Sequence, residues 1–592
     1  MPPNTTNNPG EAGGGGGGEG GGGGGGGNNA NGSLVGAGLG PHQHGLQGAA
    51  GGGGGGGVTG MTPPPNTGGG AGAGNVLEIT SVAEFYRDRN LLITGATGFM
   101  GKVLVVKLLR SCPSVGKIYL LMRPKGNKDV PTRLRELLDS HLFKNLRSVS
   151  PNIDEKLVAV EGDILLPGLG LSQVDTDILA AEVSVVFHAA ATVKFDEAIK
   201  LSLQMNVLGT KRMVELCQKM TKLVSVVHVS TAYCNCDRDE VDEQVYPPPS
   251  DPYTLLKLLD LMDDDLFNHL TPKLIGNRPN TYTFTKALAE HILVTEAKDL
   301  PIAIVRPSIV AAAWREPIPG WVDNFNGATG LIVGAGKGLL RTLHCHQDLV
   351  ADLIPVDIPI NLLIVTACYT ALYRQKEMKV YNCVSGMDNP VRWRDIRDHG
   401  MVALKNHTPM TDVVWYPSLH FTTSKRLNKV LVLLQHWLPA YIMDIAARVA
   451  GKKPIMVRVA QKLDRAAACL EYFTTHEWRF NSDNVHALWA VLPEHDKQTF
   501  NFSLSQLDWV TYMHHYCNGT KRFVLKEEDS TIPKSKTHLN KLWWVQQICR
   551  MVALLVAWRA VFLRSERARN AFYALLRAFF RLITYLPIVG RI

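Results

Sequence analysis

The sequence predicts an α/β fold in which a doubly wound parallel sheet is followed by a smaller, mostly helical domain and a helical tail. Short apolar runs of strand length recur along residues 90–305, and helix-like segments separate them. Strands that are apolar on both faces and alternate with helices are typical of a parallel sheet with helices on both sides. Beyond about residue 393 strand-like runs become scarce, while residues 424–516 are rich in helix-forming and aromatic residues.

The first 80 residues are predicted to be a disordered, glycine-rich arm. Residues 1–74 hold 34 of the 55 glycines, in runs such as 13–18 and 51–57. This composition buries too little apolar surface to offset the entropy of ordering the chain. The arm also lacks the basic start and the apolar core of a signal peptide, which argues against secretion by that route.

Six strands are predicted after the arm. They are residues 90–94, 117–122, 157–160, 183–188, 223–229 and 301–305, and the main helical segments between the last three are 194–220 and 282–297. Three further divisions follow: a sheet domain at 81–395, a helical domain at 396–527, and a linker with a tail at 528–592. The linker is predicted from the polar run at 526–536.

The strongest local signal is TGATGFMG at residues 94–101, between the first strand and a helix. Glycines at this place let backbone amides at a helix N-terminus approach a pyrophosphate and meet it with the positive end of the helix dipole. A tight turn with close helix packing is the alternative. The context favours a Rossmann-type dinucleotide site made by Thr94, Gly95, Thr97, Gly98, Phe99 and Gly101.

The end of the second strand bears on which nicotinamide cofactor binds. NAD sites usually have an acid there that binds the ribose 2′-hydroxyl, whereas this strand ends in LMRPK at 121–125. Arg123 can pair with a 2′-phosphate, so NADPH is predicted, and an ordinary surface arginine is the alternative. Asp163 and Ile164 follow the third strand, and Asp163 is there in a position to form a hydrogen bond with the adenine. Ala189 follows the fourth, where a small side chain lets the backbone approach the cofactor.

Tyr282 and Lys286 lie four residues apart in YTFTK, and therefore on one face of a helix. A surface pair is the alternative. However, HVSTAY at 228–233 places the Thr231 hydroxyl at the carboxyl end of a strand, the edge at which open α/β sheets bind ligands. A lysine beside the phenol is expected to lower the tyrosine pKa from its usual value of about 10. The set predicts acid/base chemistry coupled to hydride transfer.

Together these motifs resemble those of the extended short-chain dehydrogenase/reductases. The matching motifs run from about residue 91 to residue 308 and are TGATGFMG, Gly162-Asp163, HAAAT, NVLGT, HVSTAY and YTFTK. A narrower resemblance follows, because PGWVDNFNGATGL at 319–331 and DLIPVDIPIN at 352–361 are similar to segments of the fatty acyl-CoA reductases. The helical segment at about 431–526 resembles their C-terminal male-sterility domain, whereas the glycine-rich arm departs from the pattern.

The resemblance implies reduction of a long-chain acyl-CoA to a fatty alcohol by two NADPH, through a hemithioacetal and an aldehyde. It implies that Tyr282 is the general acid, that Lys286 binds the nicotinamide ribose and lowers the tyrosine pKa, and that Thr231 polarises the carbonyl. Asn206 matches the asparagine that supports the lysine in a proton relay. Ser230 is adjacent to Thr231, but strand alternation points neighbours to opposite faces, which favours Thr231.

Two alternatives to this function are another extended reductase, such as a sugar-nucleotide epimerase or hydroxysteroid dehydrogenase, and a non-catalytic scaffold at a lipid surface. The first group lacks the 319–331 segment and the helical domain, and the intact catalytic positions disfavour the scaffold. Reduced thiols are expected. No metal site is predicted, because Cys234, Cys236 and the HCH run at 344–346 do not have a zinc-ligand spacing.

The charge of the chain is concentrated in its tail. The net charge is +9, and residues 538–592 hold nine basic residues and one acidic residue, which account for +8 of it. The remaining body is close to neutral, so no nucleic-acid partner is expected.

Apolar residues of the tail recur at the spacing of one helix face, and they are Trp544, Ile548, Met551, Leu555, Trp558 and Phe562. Arg550 and Arg559 interrupt this run. An interfacial helix or shallow hairpin, a single tilted span, and a helix packed on protein are the alternatives. We expect the tail to hold the chain on a membrane facing the cytosol, at the endoplasmic reticulum or the peroxisome that the resemblance suggests.

Overall fold

A seven-stranded, wholly parallel sheet runs through the centre of the computed structural model, which describes residues 81–148, 152–374 and 377–584. In chain order the strands are β1 (Asn90–Thr94), β2 (Ile118–Met122), β3 (Leu157–Glu161), β4 (Val183–His188), β5 (Ser225–Val229), β6 (Ile302–Pro307) and β7 (Lys379–Cys383). Across the sheet the order is β7, β6, β5, β4, β1, β2, β3. The order reverses between β1 and β4, so the predicted doubly wound, Rossmann-type class is confirmed. The predicted arm at 1–80 lies outside the described residues.

All six predicted strands form, and their bounds differ from the prediction by at most two residues. The seventh, β7, was not predicted from the sequence. It is an edge strand that pairs with β6, and it carries the polar residue Asn382 in its interior. The Asn382 Nδ2 donates to the carbonyl oxygens of Val241 and Asn481, so residues far along the chain satisfy the donor of a polar group that interrupts the apolar run.

Helices cover both faces of the sheet. The longer ones before residue 375 are Phe99–Ser111, Val130–Leu138, Gln173–Glu182, Gly209–Cys217, Pro252–Leu261, Asp264–Ile275, Thr281–Glu296, Ala328–Gly336 and Asp357–Tyr373. The helix predicted at 194–220 runs from Ile199 to Cys217 and contains a π-helical segment at Leu203–Leu208. The helix predicted at 282–297 begins at Thr281, where the Asn280 side chain accepts a hydrogen bond from the Thr283 amide.

Residues 396–527 are mostly helical, as predicted, and pack directly on the sheet domain. Their main helices are Trp393–Val402, a continuous helix from Lys425 to Val449, Met456–Thr475, Asp483–Val491, Glu494–Thr499 and Trp509–Gly519. Short strands also cross the predicted boundary, since His420–Thr422 pairs with Thr342–His344, and Arg479–Phe480 pairs with Glu240–Val241. One hydrophobic core contains residues from both sides, so the division at residue 395 stays a prediction.

Two helices, Ile532–Arg564 and Glu566–Thr584, form the tail. The first begins inside the polar run that predicted a linker. Its first turns pack on the body, because Leu539 is buried and the His538 Nε2 lies 2.9 Å from the Val413 carbonyl oxygen. The predicted linker is thus helical from residue 532 onward, and its bounds stay a prediction.

The outer part of the first tail helix exposes apolar side chains on more than one face. The predicted stripe is exposed at Trp544 and Leu555, but Val552, Leu554 and Val556 are exposed as well. A helix that is apolar all round is suited to lipid or to a buried interface. The two tail helices also touch near their junction, where the Trp558 and Phe572 ring centroids are 5.8 Å apart.

Within the described residues, one helix, Lys425–Val449, is long and apolar enough to cross a membrane by length and composition.

Candidate active site

The turn after β1 holds the backbone close to the end of β4 and to the helix Phe99–Ser111. Gly95 has a φ of 75°, and a Cβ on it would lie 2.9 Å from the carbonyl carbon of Ala189. A Cβ on Gly101 would lie 2.2 Å from the Gly95 carbonyl oxygen. Side chains are therefore excluded at both positions. Gly98 is the exposed N-cap of the helix, so the helix start is open to an anion.

Thr94 joins the ends of β1 and β4. Its hydroxyl oxygen accepts hydrogen bonds of 3.1 Å from the amides of Ala189 and Ala190, and it lies 2.9 Å from the His188 Nδ1. The side chain of Thr94 is completely buried. The Thr94 hydroxyl is occupied by protein groups and shapes the turn, and the role of Thr94 at the cofactor site stays a prediction.

His188 continues this network as a neutral imidazole. Thr94 already accepts from two amides, so its own proton goes to His188 Nδ1, and His188 then donates from Nε2 to the Thr210 hydroxyl, 3.2 Å away. Thr210 donates in turn to the Asn206 carbonyl oxygen at 2.7 Å. Burial, with a smaller contribution from the Lys286 charge, lowers the pKa of His188 to about 3. His188 and Thr210 lie within the HAAAT and NVLGT motifs, but only these contacts indicate what they do.

Asn206 lies in the π-helical segment Leu203–Leu208, a local distortion that often occurs at functional sites. Its Oδ1 accepts from the Thr192 amide at 2.9 Å, and its Nδ2 donates to the Thr285 hydroxyl at 3.0 Å. Asn206 thereby ties the loop after β4 to the helix that carries the predicted catalytic pair. The hydrogen bond reaches Thr285, the residue before Lys286, and the predicted support of the lysine by Asn206 stays a prediction.

Tyr282, Lys286 and Thr231 come together at the carboxyl end of β5. The Thr231 hydroxyl is close enough to the Tyr282 phenol to lower its pKa, and its direct contacts are with the Pro307 carbonyl oxygen at 3.5 Å and the Tyr233 amide at 3.3 Å. The Lys286 ammonium donates to the Val229 carbonyl oxygen at 2.7 Å, and burial lowers the pKa of Lys286 to about 8. Burial raises the pKa of Tyr282, and the hydrogen bond from Thr231 offsets only part of this effect. The expected lowering by Lys286 is therefore wrong for this structure, because the ammonium is directed at a backbone carbonyl.

Ser230 points away from Thr231, as strand alternation predicts. Its hydroxyl donates to Glu290 Oε1 at 2.6 Å. Glu290 also forms an ion pair with Arg306, with contacts of 2.6 and 2.8 Å, and both side chains are almost completely buried. This pair joins the helix Thr281–Glu296 to β6, and no sequence pattern indicated it because the partners lie on different elements.

Two arginines lie beside the glycine turn. Arg123, half exposed after β2, has its Nη1 3.4 Å from Asp163 Oδ2. Arg133, on the helix Val130–Leu138, donates to the Arg123 carbonyl oxygen and to the Thr97 hydroxyl, the latter at 3.2 Å. Burial and the nearby Arg123 charge lower the pKa of Arg133. Sequence reasoning missed Arg133, because only folding of the loop between them brings the two guanidinium groups together.

The residues after β3 are held by backbone contacts. Asp163 Oδ1 accepts from the Leu165 amide at 3.0 Å, which leaves its Oδ2 facing Arg123. The Ile164 side chain is buried, and its carbonyl oxygen accepts from Arg212 at 2.9 Å. The structure thus places Asp163 with the two arginines at one edge of the predicted cofactor site.

Comparison with known proteins identifies the family. Models described as male sterility protein match residues 93–363 and 435–527. Fatty acyl-CoA reductase 1 of Xenopus laevis is 44% identical over 505 residues, which cover 85% of this chain and 98% of that protein. The chain belongs to the fatty acyl-CoA reductase family. Fatty acyl-CoA reductase 2 of Mus musculus is 38% identical over 507 residues, which cover 86% of this chain and 98% of that protein.

A solved structure agrees with the fold of this reductase. The reductase domain of a nonribosomal peptide synthetase from Mycobacterium tuberculosis superposes with a TM-score of 0.50 at 18% identity, over 75% of this chain and 95% of that one. This likeness supports the Rossmann-type fold. The membership that the motifs predicted is confirmed by the curated relatives, which match over most of the chain.

The segment at 319–331 packs against the start of the helix Phe99–Ser111 of the reductase. The Trp321 ring stacks on Phe99 with 5.4 Å between centroids, and Asp323 pairs with Lys102 at 2.7 Å. Phe99 was predicted to contact the cofactor, and the structure places it between the glycine turn and this segment. The segment therefore borders the predicted cofactor site.

The two aspartates of DLIPVDIPIN hold loops at the same edge of the sheet. Asp357 accepts hydrogen bonds of 2.8 Å from the amides of both Trp314 and Arg315. Asp352 accepts one of 2.7 Å from the Ser385 amide, just after β7. Burial raises the pKa of both carboxyls, and these amide donors oppose that effect. The two aspartates of this motif thus hold neighbouring loops in position.

Proposed function

We propose that this reductase uses NADPH to convert a long-chain fatty acyl-CoA into the fatty alcohol, with Tyr282, Thr231 and Lys286 at the reacting centre. The observation that carries the proposal is the meeting of these three side chains at the carboxyl end of β5, in a member of the fatty acyl-CoA reductase family. That edge of a doubly wound sheet is where such folds bind ligands.

The residues around the glycine turn fit a dinucleotide. The backbone at Gly95 and Gly101 is too close to its surroundings for any side chain, and the helix start at Gly98 is open. Thr97 and Phe99 border this cradle, and Ala189 backs it. The cofactor supplies the hydride when it is bound. Its 2′-phosphate would be held by Arg123 and Arg133, whose proximity supports NADPH over NADH.

The catalytic side chains provide hydrogen-bond donors and a proton. The Thr231 and Tyr282 hydroxyls stabilise negative charge as it develops on the substrate carbonyl oxygen, which is usually the largest catalytic contribution. The Tyr282 phenol is protonated at neutral pH, the form that a general acid requires, because its pKa is not lowered from the usual value of tyrosine. Lys286 is fixed by the Val229 carbonyl, so its charge has a defined position for the nicotinamide ribose. Asn206 and His188 hold the surrounding loops in place through their hydrogen bonds to Thr192, Thr94 and Thr210.

We also propose that the tail attaches the enzyme to the cytosolic face of the endoplasmic reticulum or the peroxisome. The exposed apolar residues of the first tail helix, such as Leu554 and Val556, support a contact with lipid. The ring contact between Trp558 and Phe572 supports a shallow hairpin over a single span. Attachment would place the enzyme where long-chain acyl-CoA partitions.

The activity is tested with the purified chain in detergent or vesicles. With palmitoyl-CoA, we expect NADPH to be consumed and hexadecanol to be identified by gas chromatography. UDP-glucose and a hydroxysteroid serve as substrate controls and should leave NADPH unchanged. Turnover of either control with no reaction of palmitoyl-CoA would favour another extended reductase, and cofactor binding without any turnover would favour a scaffold.

Cofactor choice depends on Arg123. Replacing Arg123 by alanine removes a charged hydrogen-bond donor, an interaction of about 1.5–3 kcal/mol, so NADPH should bind about tenfold to a hundredfold more weakly. NADH lacks the 2′-phosphate and should be affected little. Titration of cofactor fluorescence measures both dissociation constants. Arg135→Ala, on the same helix as Arg133, is the control, and equal losses for the two cofactors would show that Arg123 does not bind the phosphate.

A further inference from the structure

The helix Lys425–Val449 exposes an apolar surface on the body of the protein, separate from the tail. Eight of its large apolar side chains are each at least half exposed to solvent, and six of these are Leu427, Val430, Leu434, Tyr441, Ile442 and Ile445. We call these six residues the apolar helix face. A contiguous exposed apolar surface of this kind usually marks an interaction site.

The opposite side of this helix is fixed to the body by polar contacts. Asp444 is buried, and its carboxylate accepts hydrogen bonds of 2.8 and 3.0 Å from the amides of Met456 and Val457. His436 Nε2 accepts from the Arg341 amide at 3.0 Å. A transmembrane arrangement would break these contacts and place Asp444 in hydrocarbon, which is costly. The helix therefore lies along the protein surface, although it is long enough to span.

Basic residues flank the apolar helix face at both ends. Three exposed basic residues lie around the first residue of the face, and three more follow its last residue. They are Lys425, Arg426, Lys429, Arg448, Lys452 and Lys453. Residues 425–475 together hold nine basic and three acidic residues. An exposed apolar face with cations around it is the pattern of an interfacial helix on anionic lipid. The same charges would repel one another across an interface between two copies of this helix.

The first tail helix and this helix share a set of basic neighbours. Arg550 of the first tail helix is close enough to interact electrostatically with Arg341, whose amide is bonded to His436. Arg397 and Lys405 complete a basic cluster around His420 with these two arginines. The apolar helix face and the apolar tail are thus connected by a positively charged surface, which complements anionic headgroups.

The helix packed against this surface also reaches the catalytic tyrosine. It runs from Met456 to Thr475, and the Phe473 ring near its end stacks on Phe195 with 5.3 Å between centroids. Phe195 stacks in turn on Tyr282 at 6.0 Å. An aromatic wall therefore links the reacting centre to the hairpin that carries the apolar helix face.

We propose that the apolar helix face is a second membrane-contacting surface, which lies on an anionic bilayer beside the tail. The contact turns the hairpin 425–475 toward the lipid, and the acyl chain of the substrate passes from the bilayer along the aromatic wall to Tyr282. The entry route rests on the proposed function, whereas the lipid contact does not depend on catalysis.

The lipid contact is tested with the full chain and vesicles of phosphatidylcholine with phosphatidylserine. The variant Leu434→Glu/Ile442→Glu should lower vesicle affinity by about tenfold in flotation, because it places two charges in the interface. The control Val174→Glu/Leu261→Glu changes two apolar residues elsewhere that are more exposed than Leu434 and Ile442, and it should bind as the wild type does. Wild-type affinity of the first variant, with an unchanged circular dichroism spectrum, would overturn the proposal.

The tail contributes its own vesicle affinity, so the wild type and the face variant are also compared when both carry Trp544→Glu/Leu555→Glu. In that background the face variant should lose a larger part of the vesicle affinity. A second variant, Lys452→Glu/Lys453→Glu, should weaken binding to phosphatidylserine vesicles and leave binding to pure phosphatidylcholine unchanged. If the face variant instead converts a dimer to a monomer and keeps its vesicle affinity, the face joins two copies and the proposal is wrong.

The entry route has a separate readout. With palmitoyl-CoA on vesicles, the variant Leu434→Glu/Ile442→Glu should raise KM and leave kcat unchanged, while KM for the more water-soluble octanoyl-CoA should stay the same. Equal increases in KM for the two substrates would overturn the route. A chain that turns over neither substrate would contradict the proposed function, and the vesicle measurements would still decide the lipid contact.

Discussion

Replacing Tyr282 by phenylalanine is expected to lower kcat by roughly 10² or more, the range for loss of a positioned general acid. The substitution keeps the ring that stacks on Phe195 and removes only the hydroxyl group near Thr231. NADPH affinity should change little, because the glycine turn and the arginines beside it are untouched. Steady-state alcohol production and cofactor titration measure the two quantities separately.

Tyr253→Phe is the matched control for this substitution. Its phenol is 2.8 Å from the Thr295 hydroxyl, at the far end of the helix that carries Tyr282 and Lys286. Loss of that contact should leave kcat within about twofold, since it lies away from the reacting centre. Near-normal alcohol production by Tyr282→Phe would contradict the catalytic role of Tyr282. A comparable loss of kcat in Tyr282→Phe and Tyr253→Phe would indicate a general effect on the helix.

Replacing Glu290 by glutamine is expected to reduce the free energy of unfolding by about 3–5 kcal/mol, the range for removing one partner of a buried ion pair. The Arg306 guanidinium would keep its full charge in a position where none of its side chain is exposed. Its remaining acceptors would be the single amide oxygen of the new glutamine and the backbone carbonyls of Asp242 and Gln244. Denaturant unfolding followed by circular dichroism measures the change.

Glu136→Gln is the control, because Glu136 pairs with Lys128 at a site where both side chains are about half exposed, and exposed pairs contribute little. The double variant Glu290→Leu/Arg306→Leu removes both buried charges and should recover part of the lost stability. Wild-type unfolding of Glu290→Gln would mean that the pair is not a source of stability. Because Glu290 also holds Ser230, which precedes Thr231, we expect its loss to lower kcat as well.

Much of this protein was predictable from local patterns. The strands β1 to β6 are short apolar runs. A strand buried on both faces is apolar along its whole length, so it can be recognised from its own residues. The turn at 94–101 was equally readable, because glycine is required wherever backbone approaches backbone, and the Gly101 position leaves no room for a Cβ. The spacing of Tyr282 and Lys286 likewise follows from one turn of a helix.

Contacts between distant residues decided the rest. β7 pairs with β6, and its buried Asn382 finds acceptors on two other segments. The proton on His188 is directed by a threonine 94 residues earlier. The pKa of Tyr282 is raised because the body buries it while Lys286 bonds to a strand carbonyl, although the spacing alone predicted the opposite. Arg133 joins Arg123, and the helix at 425–449 exposes its apolar face, only through packing of the whole chain. Periodicity along a sequence reports local backbone and average burial, whereas the partner of a buried polar group and the final exposure of an apolar one depend on which elements meet.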